Sequence, residues 1–165
     1  MDPLNEGRLA GIHPAMAAAV RRVDAKLSPD GIHIRVTSGT RNEAEQDADF
    51  AKGRDAQGNI INPKLVVTHA RYGYSAHNFG MAVDVVPGLH IDGPWHPDWN
   101  PAHPDFLKMV AAFEAEGCIA GIRWAEPKTD PDHFQLGGQP VTPTDDMREA
   151  LKEGLTAVWN KFAPV

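Results

Sequence analysis

Residues 81–86 read Met-Ala-Val-Asp-Val-Val, an acid set inside an otherwise apolar, β-branched run. A run of this length and composition predicts a strand. Along a strand the side chains alternate, so Ala82 and Asp84 share one face while Met81, Val83 and Val85 share the other. The second face has to pack on a core. Burying a carboxylate between valines is costly unless it is paired or bound to a metal, so the Asp84 face must open onto a polar cleft or solvent. The chain therefore needs a sheet with one apolar side and one polar side. Its 165 residues suffice for one domain with a real core and no covalent staples.

The remaining elements follow from pattern and punctuation. Pro14 suits a first helical turn, and Met16, Val20, Val23 and Leu27 recur at helical spacing, which predicts a helix over 14–27. Ser28-Pro29-Asp30-Gly31 is a turn signal, and residues 32–37 alternate as a strand. Asn42 with Glu45 three residues on has the form of a capping box, opening a helix that ends at Gly53. Residues 54–63 read as a loop and 65–68 as a short strand. Phe106, Met109, Val110 and Phe113 predict a helix over 104–116, stopped by Gly117. Residues 119–124 and 133–136 are strand candidates. Residues 144–162 read as one amphipathic helix with Asp145 and Asp146 at its positive end. Five prolines between 87 and 104 predict a long ordered loop without regular structure. Helices and clustered strands without a βαβ rhythm give an α+β class, a small antiparallel sheet with flanking helices, in a single domain over 1–165.

Charge and composition exclude several partners. A net charge of -6 offers no broad basic surface, so neither nucleic acid nor an anionic membrane is expected as a partner. No apolar run is long enough to span a bilayer, and residues 1–11 lack the form of a secretory signal, so synthesis in a cytoplasm is expected. A monomer is expected. The single cysteine, Cys118, lies in an apolar stretch and reads as a buried small hydrophobe.

Two clusters carry chemistry. The first is Ser75-x-His77-x-x-Gly80-x-Ala82-x-Asp84, and the second is Asp130-Pro131-Asp132-His133-Phe134. His77, Asp84 and His133 make a three-ligand set that leaves a fourth position open on a Zn²⁺ ion, although cobalt or manganese also suits such donors. A nearby carboxylate then serves as general base and acid; Asp130 is the first choice and Asp132 its rival. Trp95 and Trp99 either line a sugar–peptide groove or pack within the loop. His90, His96 and His103 are spaced too widely in a proline-rich segment to suggest a second metal site.

These clusters resemble the signatures of the D-alanyl-D-alanine carboxypeptidase and L-alanyl-D-glutamate endopeptidase metallopeptidases, which share their fold with the hedgehog signalling domain. The upstream Thr37-Ser38-Gly39-Thr40-Arg41 is similar to that family's S-G-x-R element, and Trp124 resembles an aromatic position ahead of the second cluster. The resemblance implies zinc on His77, Asp84 and His133, with Asp130 as base and acid. It gives Arg41 to the substrate carbonyl, its oxyanion or a substrate carboxylate, and puts Ser75 near the metal. Pro131 and Asp132 depart from the acidic-aromatic-proline sequence of many relatives. The expected activity is hydrolysis of the L-Ala–D-Glu bond in peptidoglycan stem peptides by a phage endolysin, made in the host cytoplasm and released to the wall through a holin. The alternatives are a D-Ala-D-Ala carboxypeptidase or dipeptidase, and a non-catalytic zinc-containing binding module.

Overall fold

A computed structural model describes residues 1–90, 95–126 and 128–162. The expected strand at Asp84 is β2, Ala82–His90, and it organises a five-stranded antiparallel sheet. One edge of β2 pairs with β1, His33–Ser38. Its other edge pairs first with β5, His133–Leu136, and further along with β3, Trp95–Pro97. β4, Cys118–Ala120, completes the sheet beside β5.

Alternation then sorts the two faces. Val83, Val85, Phe134 and Val36 are buried in the core, covered by α2, Pro14–Leu27, and α4, Pro104–Ala115. Phe113 of α4 stacks on Phe134 with ring centroids 4.0 Å apart. Asp84 pairs across the ladder with His133, which sends both polar side chains to the opposite face.

α1, Pro3–Leu9, is a helix that the sequence pattern does not announce; Asp2 caps it. Its buried Asn5 hydrogen-bonds Ile34 O and Val36 N, satisfying backbone groups on the free edge of β1. α3, Glu43–Ala51, opens with the expected Asn42–Glu45 capping box.

Four expectations need correcting. Residues 65–68 form no strand: Pro63–Leu65 is a 3₁₀ turn, and Leu65 and Val67 stay exposed with no sheet to join. The proline-rich stretch is partly regular, because β2 runs through Pro87 to His90. Pro87 O accepts from Asp98 N, so the missing N–H of Pro87 faces the gap between β5 and β3 and removes no bond to β1. The strand expected over 119–124 ends at Ala120 and gives way to a 3₁₀ turn, Gly121–Arg123. The C-terminal helix is two helices, α5, Asp145–Leu151, and α6, Leu155–Lys161, broken where Gly154 adopts φ 105°. Among the described residues no helix is long and apolar enough to cross a membrane.

Candidate metal centre

Three ligand atoms converge on the polar face. His77 rides a 3₁₀ turn, Ala76–Phe79, that leads into β2, while Asp84 and His133 face each other across β2 and β5. His77 Nε2 lies 3.1 Å from Asp84 Oδ1 and 3.2 Å from His133 Nδ1, and His133 Nδ1 lies 3.4 Å from Asp84 Oδ1. Both imidazoles are buried. Among the described residues this is the group whose ligand atoms lie close enough together to hold a metal ion.

The outward nitrogen of each ring shows what the inward one must be. His77 Nδ1 lies 2.7 Å from Gly39 O, an atom that only accepts, so Nδ1 carries the proton. His133 Nε2 lies 3.1 Å from Gln135 Oε1, and the Gln135 amide nitrogen is committed to Val141 O, so Nε2 carries that ring's proton. Neutral His77 and His133 thus aim bare lone pairs at a carboxylate oxygen. Three acceptors at such distances repel one another unless a positive charge sits among them. Burial pushes His77 below its ordinary pKa. Burial, the largest single effect, works the same way on His133, but Asp84, Asp130 and Gln135 together outweigh it and raise the value. Burial would raise Asp84, yet positive charge on the imidazoles facing it would hold it well below the usual carboxylate range, so the carboxylate stays ionised wherever a cation stands among these atoms. The centre draws a cation, and the donor set fits Zn²⁺: ligands at about 2.0–2.1 Å in a tetrahedron stand roughly 3.3 Å apart.

Arg41 closes the other side of Asp84. Its Nη2 lies 3.2 Å from Asp84 Oδ2, its Nε donates to Ser38 Oγ at 3.2 Å, and Nη1 has longer contacts of 3.5 Å to Gln46 and 3.7 Å to Asp49. A bulge helps to bring this about: Val36 pairs with Val85 and Ser38 with Asp84, so Thr37 is the extra residue, and its hydroxyl donates to Asp84 O at 3.1 Å.

The centre opens into a cleft of about 1060 Å³ that Arg41, Ser75, Trp124, Asp130 and Asp132 also line. The Trp124 ring lies 4.9 Å from His133. Ser75 starts the His77 turn, its N–H donating to Asn78 Oδ1 at 3.3 Å. Burial and the Asp84 charge push both Asp130 and Asp132 up, Asp132 to about 7. Asp130 interacts electrostatically with both imidazoles, whereas Asp132 responds chiefly to burial, Asp84 and Asp130. Gly121 lets this segment approach: a Cβ there would overlap Asp130 O and come within 3.2 Å of Asp130 Cβ.

Trp95 is not part of this cleft, which corrects the groove reading. Its indole crosses β2 over Gly88, where a Cβ would overlap the ring, and its Nε1 lies 3.4 Å from His33 O. Trp99 is exposed and lies outside the cleft lining as well. His103 caps α4, accepting from Asp105 N at 3.3 Å, and the His90 side chain lies outside the described residues. Cys118 is buried and its thiol is pushed up to about 12, chiefly by burial, so it is no nucleophile at neutral pH. Sequence reasoning missed the groups that orient the ligands. Gln135 had a signal, since it lies two residues from His133 on the same strand face. The Gly39 carbonyl had none.

Comparison with known proteins shows the family and the fold. Two family profiles, both described as D-alanyl-D-alanine carboxypeptidase, match residues 10–93 and 68–136. A peptidoglycan L-alanyl-D-glutamate endopeptidase, CwlK of Bacillus subtilis (strain 168), is 37% identical over 134 residues, covering 76% of this chain and 73% of its own. Among solved structures, the L-Ala D-Glu endopeptidase ChiX of Serratia marcescens aligns with a TM-score of 0.52 at 24% identity, covering 82% of this chain and 88% of that one. A vancomycin-resistance D,D-pentapeptidase, VanY, solved with Zn(II), aligns with a TM-score of 0.52 at 18% identity, covering 86% and 78%. At these identities the two structures speak for the fold alone.

Proposed function

The chain belongs to the D-alanyl-D-alanine carboxypeptidase family of metallopeptidases, and from that premise we propose that it is a zinc-dependent peptidoglycan peptidase that cuts the L-Ala–D-Glu bond of the stem peptide. The observation that carries the chemistry is the convergence of the His77, Asp84 and His133 ligand atoms in a cleft that Asp130 and Asp132 also line. The choice of bond is supported by the 37% identical relative, whose name specifies that linkage.

A zinc ion held by His77, Asp84 and His133 supplies Lewis acidity, polarising a carbonyl and lowering the pKa of water to about 7. The chain's own residues do the rest. The pair of Asp130 and Asp132 takes a proton from the attacking water and returns one to the departing amine. Asp130 is the member assigned this role, because it stands three residues before His133, at the acidic position of the family motif it resembles. Arg41 has an Nη2–H beyond the one it gives Asp84 and stays charged at any working pH. It meets the negative charge that develops on the carbonyl oxygen. Ser75 and Trp124 line the path of the peptide beside the metal ligands.

The biological setting proposed with this activity is that of a phage endolysin, reaching the wall through a holin. Lysis on co-expression with a holin, and its absence without one, tests that part. The bond is tested by mass spectrometry of purified peptidoglycan digested with zinc-loaded protein, beside an Asp130→Ala control. Free glycan-L-Ala with peptides that begin at D-Glu is the expected result. Release of D-Ala alone moves the chain to carboxypeptidase, and no product with zinc still bound makes it a binding module.

A further inference from the structure

Residues 137–162 follow the last residue matched by either family profile, yet they reach the His77 loop from both flanks. On the upstream flank Arg148 of α5 places its guanidinium 4.3 Å from the centre of the Tyr74 ring. Its Cδ packs on Gly73, where a Cβ would come within 3.2 Å. On the downstream flank Trp159 of α6 donates its indole N–H to Phe79 O at 2.8 Å and lies over Gly80, where a Cβ would come within 3.0 Å of Cζ2. Both helices are anchored independently, by Met147 and Val158 in the core. Between the two flanks lies the 3₁₀ turn that carries His77.

That turn depends on outside contacts. It is one short 3₁₀ turn, whose internal hydrogen bonds are of poor geometry. His77 O accepts from Arg41 N and Gly80 N, Ala76 O from Met81 N, and Gly80 O from His13 N. Phe79 O takes the bond from Trp159, on a residue with no exposed surface. Removing that N–H leaves a buried carbonyl without a partner, a cost that a shift of the turn toward another donor would relieve. Such a shift would move the His77 imidazole relative to Asp84 and His133.

We propose that the α5–α6 pair is a clamp on the metal-ligand turn, with Trp159 and Arg148 as positioning residues that hold His77 for the ion. The clamp rests on the reading of His77 as a metal ligand. It acts through backbone and loop, touching neither substrate nor metal, so its signature is in metal retention and ligand geometry before it is in catalysis.

The test uses the full chain loaded with Co²⁺, whose visible bands report ligand geometry, followed by metal loss to an excess of chelator. Trp159→Phe keeps an aromatic side chain against the core but removes the N–H to Phe79 O and the Cζ2 contact over Gly80. It is expected to alter the cobalt spectrum and to release the metal about tenfold faster than the wild type, the size of effect that outer partners of ligands produce. Val110→Ala, buried in the core on α4 and outside the α5–α6 pair, is the control for lost stability and is expected to leave both readouts unchanged. Arg148→Met probes the upstream flank and replaces Trp159→Phe if that variant fails to fold. The clamp is overturned if Trp159→Phe and Arg148→Met both keep the wild-type spectrum and release rate, or if Val110→Ala reproduces their change. Wild-type protein that takes up no cobalt overturns the metal reading itself, and the clamp with it.

Discussion

The two ends of β2 each set an aromatic ring against polar side chains, and only one of them is built for chemistry. At the far end Trp95 lies over Gly88 with the Arg35 guanidinium 4.8 Å from its ring centre, and Arg35 meets Asp2 at 3.0 Å. Cation meets anion there, and the polar atom left over, Arg35 Nε, is a donor. At the near end Trp124 packs on His133, but Asp84 Oδ1 faces two imidazole lone pairs whose protons are committed elsewhere. One cluster is closed by its own counter-charges; in the other Arg41 meets only Asp84 Oδ2, and the surplus of acceptors around Oδ1 calls for a further cation. That difference, more than burial or the presence of an aromatic, separates a site from a structural polar cluster.

The comparison can be broken at either end. The largest effect is expected from Asp84→Ala, which removes one of three ligands. Metal stoichiometry should fall toward zero and kcat/KM by roughly a thousandfold or more, since the ion supplies several kcal/mol to the transition state; retained activity with no metal would break the account. Arg41→Lys keeps the charge and loses the planar fork, so kcat should drop by about a hundredfold while the metal stays bound. Gln135→Met removes the acceptor that fixes the His133 tautomer, and zinc affinity measured by chelator competition should weaken by about 10–100-fold. At the far end Arg35→Met should leave kcat/KM unchanged and cost about 1 kcal/mol or less in denaturant unfolding. Its ion pair is partly exposed and screened. A large activity loss there would show that the two ends are not separable.

The sequence disclosed the site far better than its supports. The pattern predicted α2 to the residue, because Pro14 and the Ser28-Pro29 turn punctuate a clean apolar stripe. It missed the break at Gly154, since the stripe of Leu151, Leu155 and Val158 continues across it and a single glycine is weak evidence against a helix. Proline density at 87–104 hid the end of β2 and all of β3, because whether a proline costs a ladder bond depends on which edge its nitrogen faces. His77, Asp84 and His133 were legible because their chemistry resides in their side chains, and the structure brings them together. Trp95 was left open between groove and packing because an aromatic in a proline-rich segment carries no direction, and the structure packs it over Gly88. The Gly39 carbonyl was invisible, since every residue carries one.

The most direct test of the central claim is zinc titration of metal-free protein by calorimetry, with elemental analysis of the product. One equivalent per chain for the wild type, and none for a folded Asp84→Ala variant, is the predicted result. A folded wild type that binds no zinc, or an Asp84→Ala variant that binds it with undiminished affinity, would contradict the assignment of His77, Asp84 and His133 as a metal centre.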